Sequence, residues 1–397
     1  MQQGSPEFLT MESRVAVIAR HLTGVSASTP IGAMPECTPL TASPSAKARP
    51  VLLVGSAISD VQALTDKQAV RLDVANQSSS IGKVTHKAGG VSLNIALALR
   101  ALGHGAVHLV SAVGEDGAGR ELVELCLKAG IGTNGILSIK DGRTATVICV
   151  FNDEGEVVFS LADVSILEQQ MTPASALACM ASCDYLNGVV VVDGDLPSKT
   201  LQSVCNRAHK DGCTLVFDPA TAKKAPRCVD ALPYIDYVAP NVEELHQIAN
   251  KIGINKGQSK KWSPEKSVRV PEVFLLSAPA VAAVLSRGAR HVILTAGKHG
   301  AGIYWYCATN LKLVHCPALP VPKISSVNGA GDCLLGGFVR GLLLGRRKEE
   351  ALALGVACAG EALQTTANVP PRFDWARLEA NVRSVGQKIT ETKFNAH

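Results

Sequence analysis

Aromatic residues make up only 4% of this chain. Stacking-based recognition of single-stranded nucleic acid uses a platform of such rings, so the composition argues against that function. Charge of one sign is scarce too: the net charge of +5 is spread thinly over 397 residues. The one dense basic stretch, Lys256 to Arg269, also holds Gly257, Ser259, Ser263 and Pro264, and reads as a solvated loop rather than a nucleic-acid patch. No apolar run approaches the length of a membrane span, so no membrane partner is expected. The twelve cysteines form no CxxC pair and have no His cluster near them at zinc-ligand spacing. Buried, reduced thiols in an intracellular compartment are the expectation. Two phosphate-binding signatures are missing as well. GxxxxGK[ST] is absent and no G-x-G-x-x-G follows the first apolar run, which counts against P-loop kinases and ordinary dinucleotide enzymes.

Hydrophobic residues, by contrast, reach 47%, enough for a large core in one α/β domain with an appendage or in two domains. Residues 1–48 stand apart from it. They are rich in Ser, Thr, Pro and Ala, with Glu7, Glu12 and Glu36 as the only acidic residues, and read as a targeting or disordered segment. Arg14-Val15, five residues, then His21-Leu22 resembles the N-terminal type of peroxisomal targeting signal. Arg14 and Arg20 also suit a mitochondrial presequence, and a cytosolic location is the remaining alternative. From residue 50 onward apolar, β-branched runs (Val51–Val54, Val107–Val113, Gly188–Val192, Thr214–Phe217, His291–Leu294) alternate with segments of helical spacing. That rhythm predicts an α/β fold: a central, mostly parallel sheet with helices on both faces, binding ligands at the carboxyl ends of its strands. Val70–Lys87 and Arg143–Leu161 break the rhythm. The second reads as a hairpin about Asn152-Asp153-Glu154-Gly155, and together they could form a small sheet over the active face. Ile252–Pro271 reads as an exposed loop.

Several short segments could carry chemistry. Ser326-Val327-Asn328-Gly329-Ala330-Gly331-Asp332 precedes a helical apolar run, Cys333 to Leu344. A helix start presents unpaired N–H groups and partial positive charge, so it suits an anion. A carboxylate at its rim, Asp332, suits removal of a proton from a hydroxyl beside a phosphoryl group in transfer. The same residues also suit a tight turn with Asp as N-cap. Gly89-Gly90 before a helix, with Asn94 on its first turn, could let a ligand lie against the backbone, or be a turn capped by Ser92 or Asn94. Asp60 follows the first strand and could accept from two sugar hydroxyls or cap a helix. Asn241-x-x-Glu244 is either a capping box or an organiser of metal-bound water. Thr295, Gly297 and Gly300 are spaced to meet phosphates or a nucleoside. Asp193-Gly194-Asp195 reads as a turn, with a metal pair as the less economical alternative.

The order of these pieces resembles the ribokinase-like (PfkB) family of carbohydrate and nucleoside kinases, over roughly residues 50 to 385. Its most specific element is Ser326 to Val339, SVNGAGDCLLGGFV, which is similar to the family's C-terminal signature. The resemblance implies a kinase domain over residues 49–390 with a β-sheet lid from about 61–88 and 136–161. Asp332 would be the base, with the N–H groups of Gly329, Ala330 and Gly331 stabilising the migrating phosphoryl group. Asp60, Gly89, Gly90 and Asn94 would hold the sugar. Asn241, Thr295, Gly297 and Gly300 would serve ATP, and Glu244 would hold Mg²⁺ through water. Ser326-Val327-Asn328 departs from the Asp-Thr of many members, which bears on monovalent-cation binding. Within the family, GGVSxNIA followed by Gly114-Glu115-Asp116-x-x-Gly119 is most similar to the pseudouridine kinases, as is Asp218-Pro219-Ala220-Thr221-Ala222-Lys223, whose lysine would reach the base. That similarity implies ATP-dependent phosphorylation of the pseudouridine 5′-hydroxyl. A ribokinase, another sugar or nucleoside kinase, or a catalytically silent nucleoside binder are the alternatives. Some relatives pair their lids, so a homodimer through the lid is a further implication.

Overall fold

The computed structural model describes residues 48–65, 82–151, 157–254, 262–264, 270–308 and 310–396. The targeting-signal residues Arg14 to Leu22 and the turn at Asn152–Gly155 lie outside them.

Strands are β1 (Val51–Val54), β2 (Ile58–Thr65), β3 (Gly82–Gly89), β4 (Val107–Gly114), β5 (Gly132–Ile139), β6 (Thr146–Phe151), β7 (Val157–Asp163) and β8 (Val189–Asp193). They continue with β9 (Thr214–Asp218), β10 (Tyr237–Val238), β11 (Trp262–Pro264), β12 (His291–Thr295), β13 (Ala301–Cys307), β14 (Asn310–Cys316) and β15 (Thr390–Ala396). Among the described residues the large sheet runs β11-β15-β14-β13-β12-β10-β9-β8-β1-β4-β5. From β12 to β5 its pairings are parallel, and β13, β14, β15 and β11 extend it antiparallel. The segment around Trp262, expected as a loop, thus contributes an edge strand paired with β15.

Helices α1 (Val91–Ala101), α2 (Gly117–Lys128), α3 (Ser165–Gln170), α4 (Pro173–Ala181) and α5 (Ser198–Lys210) are followed by α6 (Val242–Ile252), α7 (Glu272–Ser286), α8 (Ala330–Leu343), α9 (Lys348–Ala362) and α10 (Trp375–Gly386). Side chains alternate across a strand, so β1 sends Val51 and Leu53 to one face and Leu52 and Val54 to the other. The first pair packs with residues of α1, α2, α8, α9 and α10, the second with residues of α3 to α7. Each fully buried Val or Leu contributes about 1.5–3 kcal/mol, which is why unbroken apolar strands end up in the middle of three layers.

The second sheet, β3-β2-β6-β7, stands apart from the first. Its β2–β6 pairing is parallel and its other two are antiparallel. Among the described residues it comprises 58–65, 82–89, 146–151 and 157–163, a correction to the expected bounds at both segments: residues 136–139, the end of β5, belong to the large sheet.

Candidate active site

Two helices meet beside the carboxyl ends of the parallel strands. A Cβ on Gly336 of α8 would lie 2.8 Å from the Cβ of Ala98 on α1, so only a glycine permits this approach. One turn upstream on each helix sit Asp332 and Asn94, and the Asn94 Nδ2 donates to Asp332 Oδ2 at 2.7 Å. Asp332 is half-buried. Burial, then the negative charges of Asp193, Asp60 and Asp195, push its carboxyl up to about 7, with the Asn94 hydrogen bond pulling the other way. A carboxylate poised near neutrality is suited to act as a general base.

The start of α8 is held open. Gly329, its N-cap, has φ +74°, and a Cβ there would fall 1.9 Å from the Asn368 carbonyl oxygen. The Cys333 N–H donates to the Gly329 carbonyl at 2.9 Å and begins the helix, whereas Ala330 N–H reaches the Val327 carbonyl only at 3.4 Å. Among the described residues no group accepts from the N–H of Gly331 or Asp332. Gly331 is exposed, with nothing within 4 Å of its Cβ position. Free donors, the positive end of a helix and open space beside a carboxylate are chemically suited to an anion with a proton acceptor at its rim.

The start of α1 is closed. Gly90 has φ +93° and would push a Cβ to within 2.6 Å of the Ser56 carbonyl. Ser92 does not cap its own helix. Instead Asp193, at the end of β8 and fully buried, accepts on Oδ2 from Ser56 N–H (2.8 Å) and Oγ–H (2.9 Å) and from Ser92 N–H (3.1 Å) and Oγ–H (2.7 Å). Its Oδ1 accepts from Asp195 N–H at 3.0 Å. Ser56 Oγ accepts from Val91 N–H at 3.0 Å and the Ser56 carbonyl from Leu93 N–H at 3.1 Å. Asp193 is therefore the hub that fixes the loop after β1 to α1. Burial and the Asp195 charge raise its carboxyl to about 6, and Asp195 is itself ion-paired with Lys224.

Asp60 is not at a helix cap or at the edge of the large sheet. It lies in β2 of the small sheet, opposite Lys87 of β3, and accepts from Asn368 Nδ2 at 3.2 Å. Burial raises its carboxyl, and Asn368 and Lys87 offset part of that. Gly89 leaves room for this carboxylate: a Cβ there would be 2.1 Å from Asp60 Oδ2. Asn241 and Glu244 form a reciprocal capping box for α6, Glu244 N–H donating to Asn241 Oδ1 at 2.9 Å and Asn241 N–H to Glu244 Oε2 at 2.8 Å. A bridge between Asn241 and Thr295 brings these two segments side by side at the ends of β10 and β12. Gly297 is exposed with open space around it, whereas Gly300 is buried and a Cβ on it would lie 2.2 Å from the Cys316 carbonyl. Lys223 is exposed; its neighbour Lys224 points into the site at Asp195.

Two residues had no role assigned from the sequence. Asp218 ends β9, and its carboxyl is raised by burial, then by the charges of Asp332 and Glu244. Asn368 lies in the loop after α9, where nothing in the sequence pattern marks it. Among the described residues no three His, Cys, Asp or Glu side chains converge into a direct metal cage.

Residues 48–371 match the family described as pfkB family carbohydrate kinase. The pseudouridine kinase of Arabidopsis thaliana is 26% identical over 360 residues, covering 81% of this chain and 92% of that protein. The pseudouridine kinase of Escherichia coli (strain K12) is 25% identical over 316 residues, covering 79% of this chain and 90% of its own length. The structure of Arabidopsis thaliana ribokinase complexed with ribose and ATP superposes with a TM-score of 0.69 at 19% identity, covering 85% of this chain and 99% of that one. That likeness shows the ribokinase-like α/β fold: a large, mostly parallel sheet flanked by helices, with a small separate sheet.

Proposed function

This chain belongs to the pfkB family of carbohydrate kinases, and from that premise we propose that it transfers the γ-phosphoryl group of ATP to the 5′-hydroxyl of pseudouridine, giving pseudouridine 5′-phosphate. The observation that carries the reaction type is Asp332 at the open start of α8, oriented by Asn94. The acceptor hydroxyl gives its proton to Asp332 as its oxygen forms the new bond to the γ-phosphorus. The bond from that phosphorus to the β–γ bridging oxygen breaks and ADP leaves. Backbone N–H groups at Gly329, Ala330 and Gly331 face the charge on the migrating group, where fixed donors are worth most. Asp60, Gly89, Gly90 and Asn94 hold the sugar, and Lys223 meets the base. Asn241, Thr295, Gly297 and the Gly300 turn border ATP, and the small sheet closes over the acceptor and excludes water. The choice of pseudouridine is supported by similarity to two pseudouridine kinases over about four fifths of the chain.

The residues fit a magnesium ion held mainly by water and phosphate. Asp218 is half-buried and faces the charges of Asp332 and Glu244, a repulsion that a cation relieves. Glu244 and Asp218 would hold it through water. When bound it would neutralise charge on the ATP phosphates.

The outer face of the lid supports pairing with a second copy. Cross-strand register puts Val84, Ile148, Phe159 and Leu161 on one face, and all four are exposed. Residues 1–48 direct the protein to peroxisomes in this reading, which fusion of that segment to a fluorescent reporter tests. The substrate is tested by presenting purified protein and Mg-ATP with pseudouridine, uridine, adenosine and ribose. Phosphorylation of pseudouridine in clear preference is expected, and turnover of ribose or adenosine with pseudouridine left untouched overturns the reading.

A further inference from the structure

We propose that Asn368 is a positioning residue that joins the acceptor-holding carboxylate Asp60 to the phosphoryl cradle at Gly329, so that it sets how tightly the acceptor is bound. The inference rests on the reading of Asp60 as a contact to the acceptor's hydroxyls.

Asn368 sits in the loop that leaves α9 and crosses to α10. Only 7% of it is exposed. One nitrogen serves two strands of the lid: Nδ2 donates to Asp60 Oδ2 on β2 at 3.2 Å and to the Ala88 carbonyl on β3 at 3.0 Å. Those acceptors are neighbours in the ladder, since Asp60 pairs with Lys87 and Ser59 with Ala88. The amide therefore fixes the carboxylate relative to the Gly89-Gly90 turn. On its other side the Asn368 main-chain carbonyl takes up the space beside Gly329 and receives the Cys333 thiol at 3.9 Å. A second bond fastens the same loop to the lid, from Lys87 Nζ to the Thr366 carbonyl at 2.8 Å. One short loop thus touches the base of the lid and the first turn of α8.

A purely packing role fits these facts poorly. The Asn368 Oδ1 is buried with no partner, as is the Oδ1 of Asn94, and both residues line one cavity of about 360 Å³ together with Lys87 and Thr366. An orphaned buried oxygen carries a cost that a Leu or Met of similar volume would avoid. The side chain is polar because its nitrogen has a task, and that task is to hold the Asp60 carboxylate turned as an acceptor beside the Ala88 carbonyl. Its donation opposes the burial that raises the Asp60 carboxyl.

The test uses the full chain with Asn368→Asp, which keeps the volume and replaces donors by a charge facing Asp60, and with Asn368→Ser, which keeps one donor. Acceptor binding is measured by calorimetry without ATP, using pseudouridine, uridine, adenosine and ribose, alongside KM for acceptor, KM for ATP, kcat and Tm. Acceptor Kd and KM are expected to rise at least tenfold in Asn368→Asp and by an intermediate factor in Asn368→Ser, with KM for ATP within twofold of the unaltered protein. Acceptor Kd unchanged within twofold in either variant overturns the inference. So do parallel losses in both KM values that track a fall in Tm, the mark of a merely structural side chain. Should Asn368→Asp fail to fold, Asn368→Ser decides by the same criteria. An unaltered protein that binds none of the four acceptors overturns the reading of Asp60 and this inference with it, whereas one that binds and phosphorylates an acceptor regardless of residue 368 overturns this inference alone.

Discussion

Helices α1 and α8 both begin just after glycines, at Gly89-Gly90 and at Gly329-Ala330-Gly331, yet one start is sealed and the other open. At α1 the N–H groups of Val91, Ser92 and Leu93 are all taken, by Ser56 Oγ, Asp193 Oδ2 and the Ser56 carbonyl. At α8 those of Gly331 and Asp332 have no acceptor among the described residues. What separates them is not the glycine pattern but a carboxylate from elsewhere. Asp193 arrives from β8 and, with Ser56 that it holds in place, seals the first helix, and among the described residues none plays that part for the second. A helix start is an anion site only if the fold leaves it empty. The sealed start serves as the fixed wall against which Asn94 can orient Asp332.

The sharpest way to break the comparison is to exchange the two carboxylates' fates. Asp332→Asn should lower kcat by about 10²–10⁴-fold with little loss of Tm, measured by steady-state kinetics and thermal unfolding. A variant that keeps most of its activity would remove Asp332 from the reaction. Because its carboxyl is held up at about 7, kcat/KM for the acceptor should fall as pH drops through about 7, and a profile flat from pH 5 to 8 would contradict the assignment.

Asp193→Ala should behave oppositely, costing about 3–5 kcal/mol of stability through buried donors left unpaired, with activity lost only as folding is lost. Chemical denaturation reads the difference. The pH dependence of stability carries the same signature. Asp193 and Asp332 sit above their ordinary value of 3.8 in the native state. Between about pH 4 and 7 the native protein then binds more protons than the unfolded chain, so these groups make stability decline as pH rises through that window. Asp332→Asn should flatten the decline, and an unchanged slope would show that the group titrates normally.

How far this was legible from the sequence follows from how far each signal reaches. Apolar runs such as Val51–Val54 and Thr214–Phe217 carry their own period, and strands stand there. The hairpin at 143–161 is local too, and β6 and β7 pair across it. By contrast Asn94 and Asp332 are 238 positions apart, and only the Ala98–Gly336 crossing joins them. Asp193 looked like a turn because its five donors come from three separate segments. Asp60 follows the first strand as expected but lies within β2, because Ile58–Thr65 follows β1 after a gap too short to announce a second sheet. Trp262–Pro264 becomes a strand because β15, a distant and largely polar segment at the chain's far end, offers it an edge.

Smaller changes at the open start separate shape from space. Gly329→Ala meets both a left-handed backbone and the Asn368 carbonyl 1.9 Å away, and should cost about 1–3 kcal/mol while reducing kcat. Gly331→Ala is the gentler and more telling change. Its Cβ position is free of protein atoms, its φ is not positive, and it lies in the first turn of α8. Judged by the protein alone, the substitution should stabilise, by about 0.5–1 kcal/mol at most. Among the described residues nothing stands within 4 Å of a methyl there, so what it obstructs is a group approaching the free N–H donors. A protein with unchanged or raised Tm but with kcat/KM for ATP reduced about tenfold or more (a loss near 1.4 kcal/mol of transition-state binding) would locate the phosphoryl group at this helix start. Full activity in that variant would mean that the empty space beside Gly331 is not where transfer occurs, and the contrast between α1 and α8 would lose its functional meaning.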